Sequence, residues 1–349
     1  MTTPAGGGTT PARVSVCIPT HNRRAALSRI LEMVRAQTYA DHEIIVCDDG
    51  SSDSTFAYLS SLGWPNLRVL RNDPGLNYPS TMCRLFTEAR GDFIAVQHDH
   101  DPVEPTWLEA MVRLMDEFPT AGLGCCACRS MDGEENVTEE PELGLDRMFH
   151  GARIIPGRRL VEVLAEEMHT PLAATGSLFR RAVVEQAGGY RPDWFLASDE
   201  DLYRRVAAIS DVAFCPDRLF TLAARPAGSS KNLGGWRALY TLSEFRRDTA
   251  AHVLEAGGAR KLWLGFRLGS RKQFALWREA VSRWLWDDPE GLREALRPDV
   301  IPRLPSGRPP LSGPERTALS CIILVLQATR PLGSILGRWW HGGAHAHGA

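Results

Sequence analysis

Three short apolar, β-branched runs, each breaking into a polar segment at its carboxyl end, constrain this chain more than any other feature. VSVCI (14–18) ends in PTHN, EIIVC (43–47) in DDGSSDST, and FIAV (93–96) in QHDHD. Runs of this length without polar alternation fit strands buried on both faces. Between the first two, Leu27, Ile30, Leu31 and Val34 recur at i, i+3, i+4 and i+7, which predicts an amphipathic helix. A weaker helix over 55–62 and a third run, LRVL (67–70), follow. The alternation predicts an α/β fold with a mostly parallel sheet, right-handed crossovers and flanking helices. Ligands bind such sheets beyond the carboxyl ends of the strands, so the polar segments should converge on one crevice.

Pro105 suits the first turn of a helix running to about Phe118, with Trp107, Leu108, Met111, Val112 and Met115 on its buried side. Residues 121–128 read as a strand. The stretch 129–151 is rich in Gly and acids and has no period, so it is expected as a loop, either over the site or as a plain surface excursion. ATGSLFRRAVVEQAGGY (174–190) predicts a strand, a short helix and a Gly-Gly stop, and SDEDLYRRVAA (198–208) a helix with Ser198 as its N-cap. Residues 1–12, small and Pro/Gly/Thr-rich, are expected to be a disordered tail. Residues 13–225 form the expected main domain, and 226–349 a helical region rich in Trp and Arg.

Net charge is only −2 over 349 residues but is unevenly spread. Through Phe220 there are 21 Arg against 32 acids, and beyond it 19 Arg plus Lys against 10 acids. A basic tail suits an anionic partner or a solvated helical face, and helices that are both basic and aromatic suit peripheral contact with a membrane surface or packing on the main domain. No nucleic-acid-binding motif accompanies the charge. The run ALSCIILVLQA is far shorter than the ~20 residues that span a bilayer. The eight cysteines sit mostly in apolar, strand-like runs with no secretory leader ahead of them. The expectation is a reduced, cytoplasmic chain, with peripheral contact at the inner face of the cell membrane as an option. Cys125, Cys126 and Cys128 lack the second pair of a zinc site and read as buried core thiols.

Asp99 and Asp101, two apart, can offer oxygens to Mg²⁺ or Mn²⁺ and leave coordination positions for the phosphates of a nucleotide. If the segment stays extended, both point to one face and His98 and His100 to the other. Asp48, Asp49 and the neighbouring hydroxyls suit short hydrogen bonds to a nucleoside. Taken singly, each aspartate at a strand end also fits a turn or a helix cap.

VSVCIPTHNR, EIIVCDDGSSDST, GDFIAVQHDHD and SDEDLYRRV, in this order and at these spacings, closely resemble the family 2 glycosyltransferases, whose catalytic domain has the GT-A fold. The resemblance covers about residues 13–225 and includes GSLFRRAVVEQAGGYRP. It implies transfer of a sugar from a nucleotide-diphosphate sugar, with UDP the commonest carrier, to an acceptor hydroxyl with inversion at the anomeric carbon. The acceptor would be a glycan, a lipid-linked or small-molecule glycoside, or a protein. The resemblance places Pro19, Thr20 and His21 along the nucleoside and Asp49 on the base. Asp99 and Asp101 would hold Mn²⁺ or Mg²⁺ and the ribose or diphosphate. The resemblance puts Asp199 on the catalytic Asp, a general base whose carboxylate takes the acceptor's proton as the new bond forms. Glu200 and Asp201 beside it also suit the first turn of a helix.

The sequence departs from the family at two places. His98 and His100 occupy two positions that are usually acidic, which leaves Asp99, Asp101 or His100 as the metal ligand. Arg225 stands where a histidine is frequent, and a guanidinium grips diphosphate but cannot ligate a metal. Two competing readings are a non-catalytic sugar-nucleotide-binding or scaffold protein of the same fold and a sugar-phosphate nucleotidyltransferase. The second wants a Gly-rich loop after the first strand, where this chain has PTHNRR.

Overall fold

The computed structural model describes residues 11–132, 136–138, 148–167, 172–192 and 198–223. The expected N-terminal tail falls almost wholly outside these residues, as do Arg225, the region 226–349 and most of the acid-rich stretch after Asp132.

The described residues form a nine-stranded mixed sheet. The first half runs β1 (Val14–Thr20), α1 (Arg24–Arg35), β2 (His42–Asp48), α2 (Thr55–Ser61), β3 (Leu67–Arg71), α3 (Tyr78–Glu88), β4 (Phe93–Val96) and α4 (Trp107–Glu117). The second half runs β5 (Ala121–Met131), β6 (Val137–Thr138), β7 (Ile154–Ile155), α5 (Gly157–Glu167), β8 (Leu178–Arg180), α6 (Arg181–Ala187), α7 (Ser198–Ala207) and β9 (Asp211–Ala223). The strand order is β3-β2-β1-β4-β8-β5-β9-β7, with β6 paired to β5. β1 is parallel to both β2 and β4, and β2 is parallel to β3. β8 runs antiparallel between β4 and β5, while β5 and β9 are parallel.

The doubly apolar strands have the burial their sequence demands, because helices cover both faces. Val14, Val16, Ile18, Ile44 and Val46 pack with Leu27, Ile30, Leu31 and Val34 of α1 and with Trp107, Met111 and Met115 of α4. Cys17, Ile45 and Cys47 face the other way, onto Met82, Leu85 and Phe86 of α3 and Leu202 and Val206 of α7. Each fully buried large aliphatic side chain is worth roughly 1.5–3 kcal/mol. Cys125, Cys126 and Cys128 are buried thiols of β5, as expected. The start of α4 differs from expectation. α4 begins at Trp107 with Thr106 as its cap, so Pro105 precedes the helix; the peptide N–H of Trp107 donates to the carbonyl of Glu104 in that turn.

The topology fixes where a ligand can sit. From β1 the chain steps outward through β2 to β3, then returns to place β4 on the other side of β1. The carboxyl ends of β1 and β4 therefore flank the point where strand order reverses, which opens a crevice in sheets of this type.

Candidate active site

The two lips of the crevice are joined by a side-chain hydrogen bond. Thr20 Oγ1, at the end of β1, donates to Asp99 Oδ2 after β4 at 2.8 Å, and both residues are buried. Pro19, before it, is a buried residue of β1. His21 Nδ1 lies 2.8 Å from the carbonyl of Asp49, tying the β1 turn to the β2 turn. Asn22, with a positive φ of 52°, accepts from the peptide N–H of Ser52 at 2.8 Å and of Asp53 at 3.3 Å. PTHN and DDGSSDS thus form one interlocked rim.

Asp49 is held by groups from a third loop. Its Oδ1 accepts from Asn72 Nδ2 and from the peptide N–H of Leu76, both at 2.8 Å. Glycine permits that approach. Gly50 has a φ of +72°, and a Cβ there would lie 2.6 Å from the amide nitrogen of Gly75. Asp48, by contrast, is fully buried, with Oδ1 accepting from the Ser51 N–H and Arg71 3.9 Å from Oδ2. It is a structural acid, and Asp49 is the one that reaches the rim.

The QHDHD segment does not stay extended. β4 ends at Val96 and the chain turns at Asp99 and His100. The alternation of faces expected for an extended strand is therefore lost: His98 and His100 stack, with ring centroids 5.4 Å apart and planes 16° apart, beside Asp101. Asp101 is fully buried; Oδ2 accepts from Thr175 Oγ1 at 2.8 Å and Oδ1 from the peptide N–H of Ala223 at 3.0 Å. Pairing of 102–104 with β9 brings Ala223 there, through Glu104 N–H to Leu219 O and Thr221 N–H to Pro102 O, both 2.8 Å. Thr175 reaches in because Gly176, at φ +85°, lies against Phe220, where a Cβ would meet the ring at 2.4 Å.

His98 Nδ1 lies 3.4 Å from Asp101 Oδ2, and His100 Nε2 lies 3.8 Å from Asp101 Oδ1. Among the described residues, one group of three has ligand atoms all within 4.8 Å of one another, and it is His98, His100 and Asp101. Asp99 is not part of it; its carboxylate meets the Thr20 hydroxyl and Nδ1 of His100. Burial alone would lower the pKa of His98, but the hydrogen bond and charge of Asp101, with the charges of Asp199 and Asp99, more than reverse it, and the net shift is upward. For Asp101, burial pushes up, yet the hydrogen bond and charge of His98, the charge of His100 and the Ala223 N–H leave the net shift downward.

Asp199 lies in the first turn of α7 and reaches the same crevice. Its Oδ1 accepts two phenol hydroxyls, from Tyr190 at 2.6 Å and from Tyr78 at 3.0 Å. Burial and then the charge of Asp199 hold both tyrosines well above the usual phenol pKa, so both remain O–H donors. The Tyr78 oxygen also sits 3.2 Å from His98 Nε2, which links Asp199 to the histidine pair through one side chain. Asp201 has a different task. Fully buried, it meets Arg204 at 3.1 Å, Arg205 at 2.7 Å and Arg191 at 3.5 Å. Arg205 also donates to the carbonyls of Ala187 and Gly189, gripping the turn that delivers Tyr190.

The structure thus brings Pro19, Thr20, His21, Asp49, Asp99, Asp101 and Asp199 to one side of the sheet. Tyr78, Tyr190 and Thr175 were not singled out from sequence. Tyr78 had a signal, since Asn77 and Pro79 mark a helix start; Asn77 Oδ1 accepts from the Ser80 N–H at 2.9 Å as the cap.

A sheet of this order with carboxylates at the β1–β4 switch point defines a GT-A type fold, and comparison with known proteins agrees. Residues 15–187 match the model of Glycosyl transferase family 2. Those residues, just under half of the chain, form a domain of this glycosyltransferase family. It is 28% identical over 224 residues to the uncharacterized protein MT1568 of Mycobacterium tuberculosis, a match covering 59% of this chain and 65% of that protein. The chain therefore spans just under two thirds of that relative. It is 29% identical over 102 residues to the UDP-Glc:alpha-D-GlcNAc-diphosphoundecaprenol beta-1,3-glucosyltransferase WfgD of Escherichia coli, covering 29% of this chain and 40% of that one. Among solved structures, S. aureus TarS 1-349 in complex with UDP-GlcNAc superposes with a TM-score of 0.57 at 14% identity, over 84% of this chain and 78% of that one. That likeness shows the fold.

Proposed function

We propose that residues 13–225 form an inverting catalytic domain that moves a sugar from a nucleoside-diphosphate sugar, UDP in the first instance, to a hydroxyl of a lipid-linked saccharide, with Asp199 as general base. The single observation that carries this reading is the setting of Asp199, a carboxylate at the crevice whose Oδ1 takes two tyrosine hydroxyls while Oδ2 has no hydrogen-bond partner among the described residues. Oδ2 is the atom left to take a proton. The acceptor O–H gives its proton to Oδ2, its oxygen forms the new bond to the anomeric carbon, and the bond to phosphate breaks with its electron pair leaving on the diphosphate. Asp49 and the β1–β2 rim suit the base and ribose.

The ligand atoms beside Asp101 fit a divalent ion, since two ligands at ~2.1 Å from a metal stand ~3.0–4.2 Å apart, as the 3.4 and 3.8 Å spacings do. Such an ion would supply positive charge facing the departing diphosphate. The lipid-linked acceptor is supported by the glucosyltransferase of Escherichia coli named above, which by its name acts on alpha-D-GlcNAc-diphosphoundecaprenol. No helix among the described residues is long and apolar enough to cross a membrane. Peripheral contact with the inner membrane face through the basic region 226–349 is proposed as the means of meeting that acceptor.

The test is release of nucleoside diphosphate from sugar nucleotides, with and without diphosphoundecaprenol-linked saccharides, by wild type and Asp199→Asn. We expect acceptor-dependent turnover in wild type, and a loss of about 10³-fold or more in the variant with donor binding retained, since general-base catalysis supplies up to ~10⁴-fold. A protein that binds donor yet turns over in neither form would be a scaffold.

A further inference from the structure

We propose that the cation site of this chain is built from His98 Nδ1, His100 Nε2 and Asp101, with Asp99 behind it as an orienting carboxylate. It would select first-row transition ions over Mg²⁺, Co²⁺ ahead of Mn²⁺. The inference rests on the glycosyl-transfer reading for the ion's use, but not for its binding.

Each imidazole has one nitrogen engaged by an orienting partner and the other turned toward Asp101. His100 Nδ1 lies 2.9 Å from Asp99 Oδ1, and its Nε2 faces Asp101 Oδ1 at 3.8 Å. His98 Nε2 lies 3.2 Å from the Tyr78 hydroxyl, and its Nδ1 faces Asp101 Oδ2 at 3.4 Å. Metal-binding histidines commonly place the second nitrogen against a carboxylate or another hydrogen-bond partner in this way, which fixes tautomer and ring orientation. Asp99 is committed to that role. Its Oδ1 meets His100, with Arg23 at 3.7 Å, and its Oδ2 accepts from Thr20 at 2.8 Å.

Asp101 is fixed from behind by Thr175 and the Ala223 N–H, one bond to each oxygen, and a carboxylate oxygen has a second lone pair to offer. Two imidazoles and one carboxylate leave coordination positions open for diphosphate oxygens. Mg²⁺ prefers an all-oxygen octahedron, whereas imidazole suits first-row transition ions, with affinity rising from Mn²⁺ through Co²⁺ along the series. Replacing acids with histidines at two positions of this segment therefore changes which ion the site takes.

The test uses the full chain freed of metal by chelator, with no nucleotide present. By calorimetry, Mn²⁺ and Co²⁺ should bind at least tenfold more tightly than Mg²⁺. Pulsed electron paramagnetic resonance of the Mn²⁺ form should show modulation from coordinated nitrogen, lost in His98→Gln/His100→Gln. Asp99→Asn should keep the nitrogen signal but weaken Mn²⁺ binding roughly 10–100-fold, as for outer-shell partners of metal-bound histidine. Bound Mn²⁺ without nitrogen modulation, equal affinity for Mg²⁺, or undiminished binding in Asp99→Asn would each overturn the assignment. The wild-type signal and Asp99→Asn decide the case even if the double variant does not fold. Because no donor is present, failure of glycosyl transfer leaves this result intact, and failure here leaves the role of Asp199 intact.

Discussion

At the scale of single residues, the site depends on which oxygen of each carboxylate is already spoken for. In the proposed mechanism, the tyrosines on Oδ1 of Asp199 are positioning residues, and Oδ2, with no hydrogen-bond partner among the described residues, is the working atom. Tyr190→Phe should lower kcat about tenfold to a hundredfold with donor KM little changed, because a hydrogen bond to a charged group is worth roughly 1.5–3 kcal/mol. Steady-state kinetics would check this, and a variant that loses only stability at unchanged kcat would refute the positioning role. The aspartates were legible in the sequence because each ends a strand or starts a helix. Tyr78 and Tyr190 were not, since a phenol at the start of α3 and another after the Gly188–Gly189 turn meet only once the chain is folded. Nor could the sequence separate Asp99 from Asp101 as a ligand. That depends on a turn at Asp99–His100, and spacing alone allowed an extended strand as well.

At the scale of elements, the crevice is assembled by anchors behind it. α7 is tied to the turn before it through Asp201 and its three arginines, and Arg205 holds the carbonyls of Ala187 and Gly189. Asp201→Ala leaves buried guanidinium groups without their anion, a change that costs about 3–5 kcal/mol. Urea unfolding should show that loss, whereas a change under ~1 kcal/mol would mean that Arg204 and Arg205 find other partners or water. The helices α1 and α6 and the strands β1, β2 and β8 follow their sequence signals closely, since periodicity and Gly stops are local, whereas α7 begins at Ser198 itself instead of taking it as its N-cap. The long pairing of β5 with β9, with its register shifts at Cys126–Cys128, is not local. Neither is the pairing of 102–104 with β9 that carries the Ala223 N–H to Asp101, and no sequence pattern announces it.

At the scale of the whole molecule, the sheet order explains why distant segments serve one site. β1 and β4 are neighbours though 72 residues separate their ends at Thr20 and Phe93, counting the residues between them. Burial on both faces forces the polar residues of each strand to its end, where the three segments meet. The proposed nucleotide site therefore depends on parts from several strands. The direct measurement is thermal melting of the full chain with UDP, dTDP, GDP and CDP, each with Mn²⁺ and with chelator, for wild type, Asp49→Ala and Asp199→Asn. Binding to the native state raises Tm, by an amount that reflects RT ln(1 + [L]/Kd). One nucleoside diphosphate should raise Tm in wild type and in Asp199→Asn, more with Mn²⁺ than with chelator, and should lose that effect in Asp49→Ala. No rise with any nucleotide, or a rise untouched by Asp49→Ala, would contradict the proposed nucleotide site.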